Sequence, residues 1–190
     1  MEQNMIANIA SRVYDVFCGL QDGLKNGTLT AEELRQIDTL PTGECDKRSP
    51  IDGSLVSVET MTGRSRILGF PKMCCADTTA ILGVIYMMAL VPPEQIIEVT
   101  AIPKQKNPQY SFHKWLCVEG LGIDITLGQF RPQDEGLKGA AIFTTHPFEK
   151  DGEYTIEKKK FIQPEKSVVL FAEFIAINYV FSKDAVEIMK

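Results

Sequence analysis

The chain is short of positive charge, of histidine and of long apolar runs. Lys and Arg number 20 against 25 Asp and Glu, a net charge of −5. Nucleic-acid binding and polybasic membrane attachment both want a basic patch, so neither partner is expected. The longest apolar stretch, Val168 to Phe181, is broken by Glu173 and Asn178 and is too short to cross a bilayer. Met1-Glu2-Gln3-Asn4 has no positive n-region followed by an apolar h-region, so the expected location is the cytoplasm. Delivery as an effector by a dedicated secretion machine would leave no mark in such a start. The five cysteines (18, 45, 74, 75 and 117) form no C-x-x-C pair, which points to free thiols in a reducing compartment. There is no repeat, no low-complexity tract and no phosphate loop; Gly120-Leu121-Gly122 lacks the helix a nucleotide would need.

What is present suits one α+β domain over residues 1–190, with 44% hydrophobic residues. Ile6, Ile9, Val13, Val16, Phe17, Leu20 and Leu24 recur at helical spacing over Asn4 to Lys25, stopped by Asn26-Gly27. Such an amphipathic helix either closes the core or docks a partner. Thr30 and Glu33 form a capping box opening a helix from Ala31 to Asp38. Residues 41–53 hold Pro41, Gly43, Pro50 and Gly53 and read as a loop. Leu55 to Thr60 is a short strand. Cys75 to Leu90 is apolar all round and reads as a buried central helix, ended by Pro92-Pro93. Strands are expected at Ile96–Ile102, Tyr110–Val118, Ile123–Leu127, Ala140–Thr145 and Glu153–Ile162. Ser167 to Phe181 is expected to be a buried helix, with a strand as the alternative.

Three places can carry chemistry. Cys74 and Cys75 open the central helix, where free N–H groups and the helix dipole favour a thiolate and can hold an oxyanion. Packing is the plainer role for either thiol, and a disulfide between them would be strained. A base for such a thiol must be one of two histidines. His146, in Thr145-His146-Pro147, falls outside any strand pattern and reads as a loop residue. His113 lies in Ser111-Phe112-His113-Lys114-Trp115, where a rigid sheet can aim its ring. Asp124, between two isoleucines, is an unusual strand residue that needs a partner if buried. A hairpin turning at Glu119-Gly120 sets Val118 opposite Leu121, Trp115 opposite Asp124 and His113 opposite Thr126. His113, Trp115 and Asp124 then share one face, with Asp124 diagonal to His113. A nucleophile, a base and an orienting carboxylate are the parts of a thiol enzyme.

The order Cys, His-x-Trp, Ile-Asp-Ile-Thr resembles the papain-like and transglutaminase-like cysteine enzymes. It is most similar to small bacterial proteins with Phe-Pro-x-x-Cys-x-Asp-x-Ser/Thr, His-x-Trp-Leu and Ile-Asp-Ile-Thr-x-x-Gln-Phe. Here these are Phe70-Pro71-Lys72-Met73-Cys74-Cys75-Ala76-Asp77-Thr78-Thr79, His113-Lys114-Trp115-Leu116 and Ile123-Asp124-Ile125-Thr126-Leu127-Gly128-Gln129-Phe130. The deamidase domains of some bacterial toxins are similar in their Cys–His–Asp order. The resemblance covers residues 70–130. It implies a papain-like fold with a Cys-bearing helix on an antiparallel sheet, Cys75 as nucleophile, His113 as base and acid, Asp124 as orienter, and no cofactor. It further implies an oxyanion hole built from the Cys75 N–H and a donor in the loop near Gly63 to Gly69, and a structural role for Gln129 and Phe130.

The expected activity is thiol-dependent acyl transfer on a protein or peptide substrate: peptidase, glutamine deamidase or transglutaminase. The alternatives are a catalytically silent binding module on the same fold and a metal site from Cys74, Cys75, His113 and Asp124. Adjacent cysteines chelate one Zn²⁺ poorly, which ranks the metal site last. Loops 41–53, 103–109 and 131–138 are the expected cleft rim. Lys158-Lys159-Lys160 reads as a solvated strand end.

Overall fold

In a computed structural model, residues 3–48, 54–72, 74–105, 111–130 and 139–181 are described below. The chain runs α1 (Gln3–Asn26), α2 (Ala31–Asp38), β1 (Gly43–Arg48), β2 (Leu55–Met61), α3 (Gly63–Gly69), α4 (Cys75–Met88), β3 (Ile96–Pro103), β4 (His113–Val118), β5 (Leu121–Asp124), β6 (Ala141–Phe143), α5 (Pro147–Lys150), β7 (Tyr154–Lys160) and α6 (Lys166–Ile175). It is an α+β arrangement. Strands β3 to β7 form one antiparallel sheet in the order β6-β5-β4-β3-β7, and β1 and β2 form a separate ribbon.

The sheet carries a different hydrophobic cluster on each face, as period-2 alternation requires. Ile96, Leu116, Val118, Leu121 and Ile123 face α1, α4 and α6 in the larger cluster. Val99, Ala101, Trp115 and Ala141 face the other way, where Leu127 and Phe148 cover them. Helix α1 closes the larger cluster by burying Ile6, Ile9, Ala10, Val13, Phe17 and Leu20. Its Gln21 side chain also donates to the carbonyls of Leu68 and Phe70 at 2.8 and 2.7 Å, and Tyr14 and Phe17 pack on the Phe70 ring. The first helix thus holds the approach to α4. The Phe70–Pro71 peptide in that approach is cis.

Two expected loops are ordered elements. Residues 43–48 pair with β2 despite the proline- and glycine-rich surroundings; residues 49–53 lie outside the described set. Gly63–Gly69 is the helix α3, opened by a capping box between Thr62 and Ser65. Its start packs on the end of α2 so closely that a Cβ at Gly63 would fall 1.9 Å from the Ile37 carbonyl oxygen. The expected strand from Tyr110 begins at His113, with Tyr110 outside the described residues, as are 106–109 and 131–138 of the expected cleft rim. The stretch from Ser167 to Phe181 is helical: α6, then a π turn over Ala176–Val180. Among the described residues, no helix is long and apolar enough to cross a membrane. Lys158 and Lys159 lie exposed and paired with Glu149 and Glu157.

Helix α4 is buried on the sheet, and Gly83 is where it has no room. A Cβ there would meet the Phe161 ring at 2.3 Å, and that ring is itself buried. Gly83→Ala, a gain in helix propensity on an open surface, is therefore expected to lower stability here by about 1–3 kcal/mol, the cost of overpacking. Urea unfolding of the variant against wild type measures it; an unchanged or raised midpoint would show that Phe161 yields freely.

Candidate active site

The hairpin between β4 and β5 decides where the site residues fall. Glu119 and Gly120 have φ of 49° and 83°, the pair of positive values that a type I′ two-residue turn requires. Val118 therefore opposes Leu121 and Leu116 opposes Ile123, the expected register. The ladder ends there. Asp124 pairs with Ala141 of β6 rather than directly with Trp115, and the chain beyond it curls into a short 3₁₀ turn, so no strand continues to Leu127. The diagonal reach survives: His113 and Asp124 share the face away from α6, and His113 Nε2 lies 2.5 Å from Asp124 Oδ2.

Asp124 has four donors. Oδ1 accepts from the Thr126 N–H at 2.8 Å and from its hydroxyl at 3.0 Å. Oδ2 accepts from His113 Nε2–H and, at 3.0 Å, from Nε2–H of His146. His146 is the residue that sequence reasoning set aside. It lies outside the strands, as expected, but it is the N-cap of α5 and fully buried, with Nδ1 accepting the Phe148 N–H at 3.2 Å. The signal was present as a capping box, His146-Pro147-Phe148-Glu149, with Pro at the first helical position. Histidine is not among the usual cap residues, which hid it.

Aromatic rings enclose the network. His146 stacks on Trp115 with centroids 3.8 Å apart, and His113 meets Phe130 and Phe148 edge-on at 4.6 and 5.4 Å. Phe130 thus has the structural role expected of it. The side chains of His113, Asp124 and His146 are 0%, 1% and 0% exposed.

Charge is distributed unevenly between the two imidazoles. Burial works against a charged His113, but the Asp124 carboxylate, through charge and hydrogen bond, and the Cys75 side chain outweigh it and raise the ring to about 9. Burial would raise the Asp124 carboxyl too; the His113 charge and the imidazole hydrogen bonds hold it far below the usual carboxylate range. His146 moves the other way, lowered first by burial and also by the His113 charge. His113 is the charged partner and His146 the neutral one.

Cys75 is the first residue of α4 and is half-buried. Its side chain acts on the His113 ring by charge and hydrogen bonding. Nε2 is committed to Asp124, and Nδ1 has no hydrogen-bond partner among the described residues. Cys74 is buried beside it, and burial pushes its thiol well above the ordinary value. Helices α2, α3 and α5 open with capping boxes, whereas Cys74, which caps α4, makes no side-chain bond to the first turn. Arg66 of α3 pairs with Asp77 in that turn, fastening α3 to the start of α4. Cys18, Cys74, Cys75 and Cys117 are free thiols.

No family model, curated protein or solved structure matches the chain.

His113, Asp124 and His146 are also groups that ligate metals, with donor atoms within 4.8 Å of one another. A metal held at about 2.0–2.2 Å by each would space those atoms about 3 Å or more apart. The His113–Asp124 pair is instead hydrogen-bonded at 2.5 Å, and every lone pair of the carboxylate already has a donor. The cluster is complete as a hydrogen-bond network. The metal set weighed from the sequence included Cys74, whose thiol burial keeps protonated.

The two histidines are separable by imidazole NMR. His113 is expected to titrate near 9 and His146 to stay neutral through and below the ordinary range near 6.5. The stability contributed by His113 is then fully present below about 6.5 and lost as pH rises through about 9. In Asp124→Asn the carboxylate charge is gone and burial prevails, so His113 is expected below about 6.5 and the alkaline loss of stability disappears. A His113 midpoint unmoved by this substitution would contradict the assignment.

Proposed function

We propose that this protein is a thiol-dependent acyl-transfer enzyme, with Cys75 as nucleophile, His113 as general base and acid and Asp124 as orienter. The observation that supports the reading is a buried imidazole hydrogen-bonded through Nε2 to Asp124, on which the side chain of Cys75, half-buried at a helix start, also acts. The α+β layout, with α4 lying on an antiparallel sheet, agrees with the papain-like arrangement that the sequence motifs resemble.

The thiolate is the attacking form of a cysteine. Cys75 Sγ attacks the carbonyl carbon of a peptide or side-chain amide. The carbonyl electron pair moves to oxygen, where the Cys75 N–H and its neighbours in the first turn of α4 can hold it. As the tetrahedral species collapses, His113 Nδ1–H gives its proton to the departing nitrogen, and a thioester remains. Water or an amine then attacks the thioester, losing its proton to Nδ1; the C–S bond breaks and Cys75 leaves as the thiolate, which restores the starting state. Peptidase, deamidase and transglutaminase differ only in which amine leaves and which nucleophile enters. Gly63–Gly69, near which a second oxyanion donor was expected, is helical rather than a loop, and α3 is fastened to α4 through Arg66 and Asp77.

Iodoacetamide at pH 6, read cysteine by cysteine by mass spectrometry, tests the proposal. Cys18, Cys74 and Cys117 are all raised by burial and should stay largely unmodified. Cys75, half-buried at the helix start, is expected to react at least about tenfold faster than any of them, and His113→Ala to slow it about tenfold or more. A Cys75 no faster than the other three would leave a silent binding module as the better reading.

A further inference from the structure

We propose that His146 is a positioning residue for this chemistry: its Nε2–H pins Asp124 Oδ2 against His113. The proposal rests on the acyl-transfer reading only for its consequence; the pinning stands on geometry.

His146 holds two bonds at once. Nδ1 takes the Phe148 N–H, as an N-cap must, and Nε2 donates to Asp124 at 3.0 Å. Serine, threonine, aspartate and asparagine can do the first and cannot reach the second. Glutamine can reach the second and loses the first, because its polar atoms share one end. Only a neutral imidazole presents an acceptor on one edge and a donor on the other. The bond at Nδ1 fixes the tautomer, so Nε2 must carry the hydrogen. The ring cannot turn, stacked on Trp115 at 3.8 Å and met edge-on by Phe143 and Phe148.

Neutrality is the useful property. A cation at this position would share the Asp124 charge and weaken its hold on His113. A neutral donor fixes the oxygen and leaves the charge for His113. The titratable groups around the pair are Asp124 on β5, Cys75 on α4 and Glu149 on α5, which also accepts the His146 backbone N–H at 3.4 Å. Without the His146 donor, Oδ2 keeps His113 as its one partner, and Thr126 on Oδ1 no longer suffices to set the angle at which Oδ2 meets that ring.

Two substitutions separate the bonds. His146→Asn keeps a cap and loses the donor; His146→Gln keeps the donor and loses the cap. The readouts on the full chain are the His113 imidazole midpoint by NMR, Cys75 alkylation at pH 6, and thermal unfolding. His146→Asn is expected to unfold near the wild-type temperature, with the His113 midpoint lowered by a unit or more and Cys75 alkylation slowed at least tenfold. His146→Gln is expected to hold the midpoint within a few tenths of a unit. A folded Asn variant with the wild-type midpoint and rate overturns the proposal. So does a Gln variant that is folded and as impaired as Asn. Should neither variant fold, the wild-type tautomer decides: Nε2–H supports the pinning, and Nδ1–H refutes it. Failure of the acyl-transfer reading looks different, as slow Cys75 alkylation in the wild type with the His113 midpoint still sensitive to His146.

Discussion

A carboxylate taken out of water must have its lone pairs occupied by donors, and the site is built around that requirement at Asp124. Thr126 fills one oxygen from the same strand end, and two imidazoles from distant parts of the chain fill the other. Breaking any one contact would leave a buried charge short of a partner, which costs far more than an ordinary hydrogen bond is worth. The arrangement is therefore demanding: β4, β5, the turn after β5 and the start of α5 must all be in register for it to exist. The raised His113 and the depressed Asp124 are two faces of one buried pair.

The asymmetry between the two histidines follows from what occupies their outer edges. His113 has no hydrogen-bond partner at Nδ1 among the described residues, so that edge is open to a proton. His146 has its Nδ1 tied to a backbone N–H, so it can take up no second proton without losing a helix cap. Identical side chains on the same carboxylate oxygen are given different chemistry by what each meets on its far side.

Much of this was legible in the amino-acid order. Period-2 alternation and the Glu119-Gly120 turn were enough to place His113 and Asp124 on one face, because a turn that needs two positive φ values leaves little freedom in register. The Thr30–Glu33 capping box marked α2 to the residue. The failures have physical causes as well. Residues 43–48 pair through backbone groups, which proline and glycine nearby do not forbid. Helix α3 is a single short segment whose capping box uses Ser65 where Glu or Gln is the usual partner, a fainter start signal than that of α2. His146 lies more than twenty residues beyond Asp124 and carries no strand pattern; only the fold brings it back to the carboxylate.

The position of the network on the sheet separates two kinds of failure. Trp115, Leu127, Ala141 and Phe148 form a small cluster on the face opposite the one that α1, α4 and α6 cover. Its lid is a three-residue 3₁₀ turn and the four-residue α5. Short elements with few buried contacts open at lower free energy than the main core. Transient lifting of these short elements would wet the two imidazoles while the helices stayed packed, so the buried carboxylate can lose its partners without global unfolding.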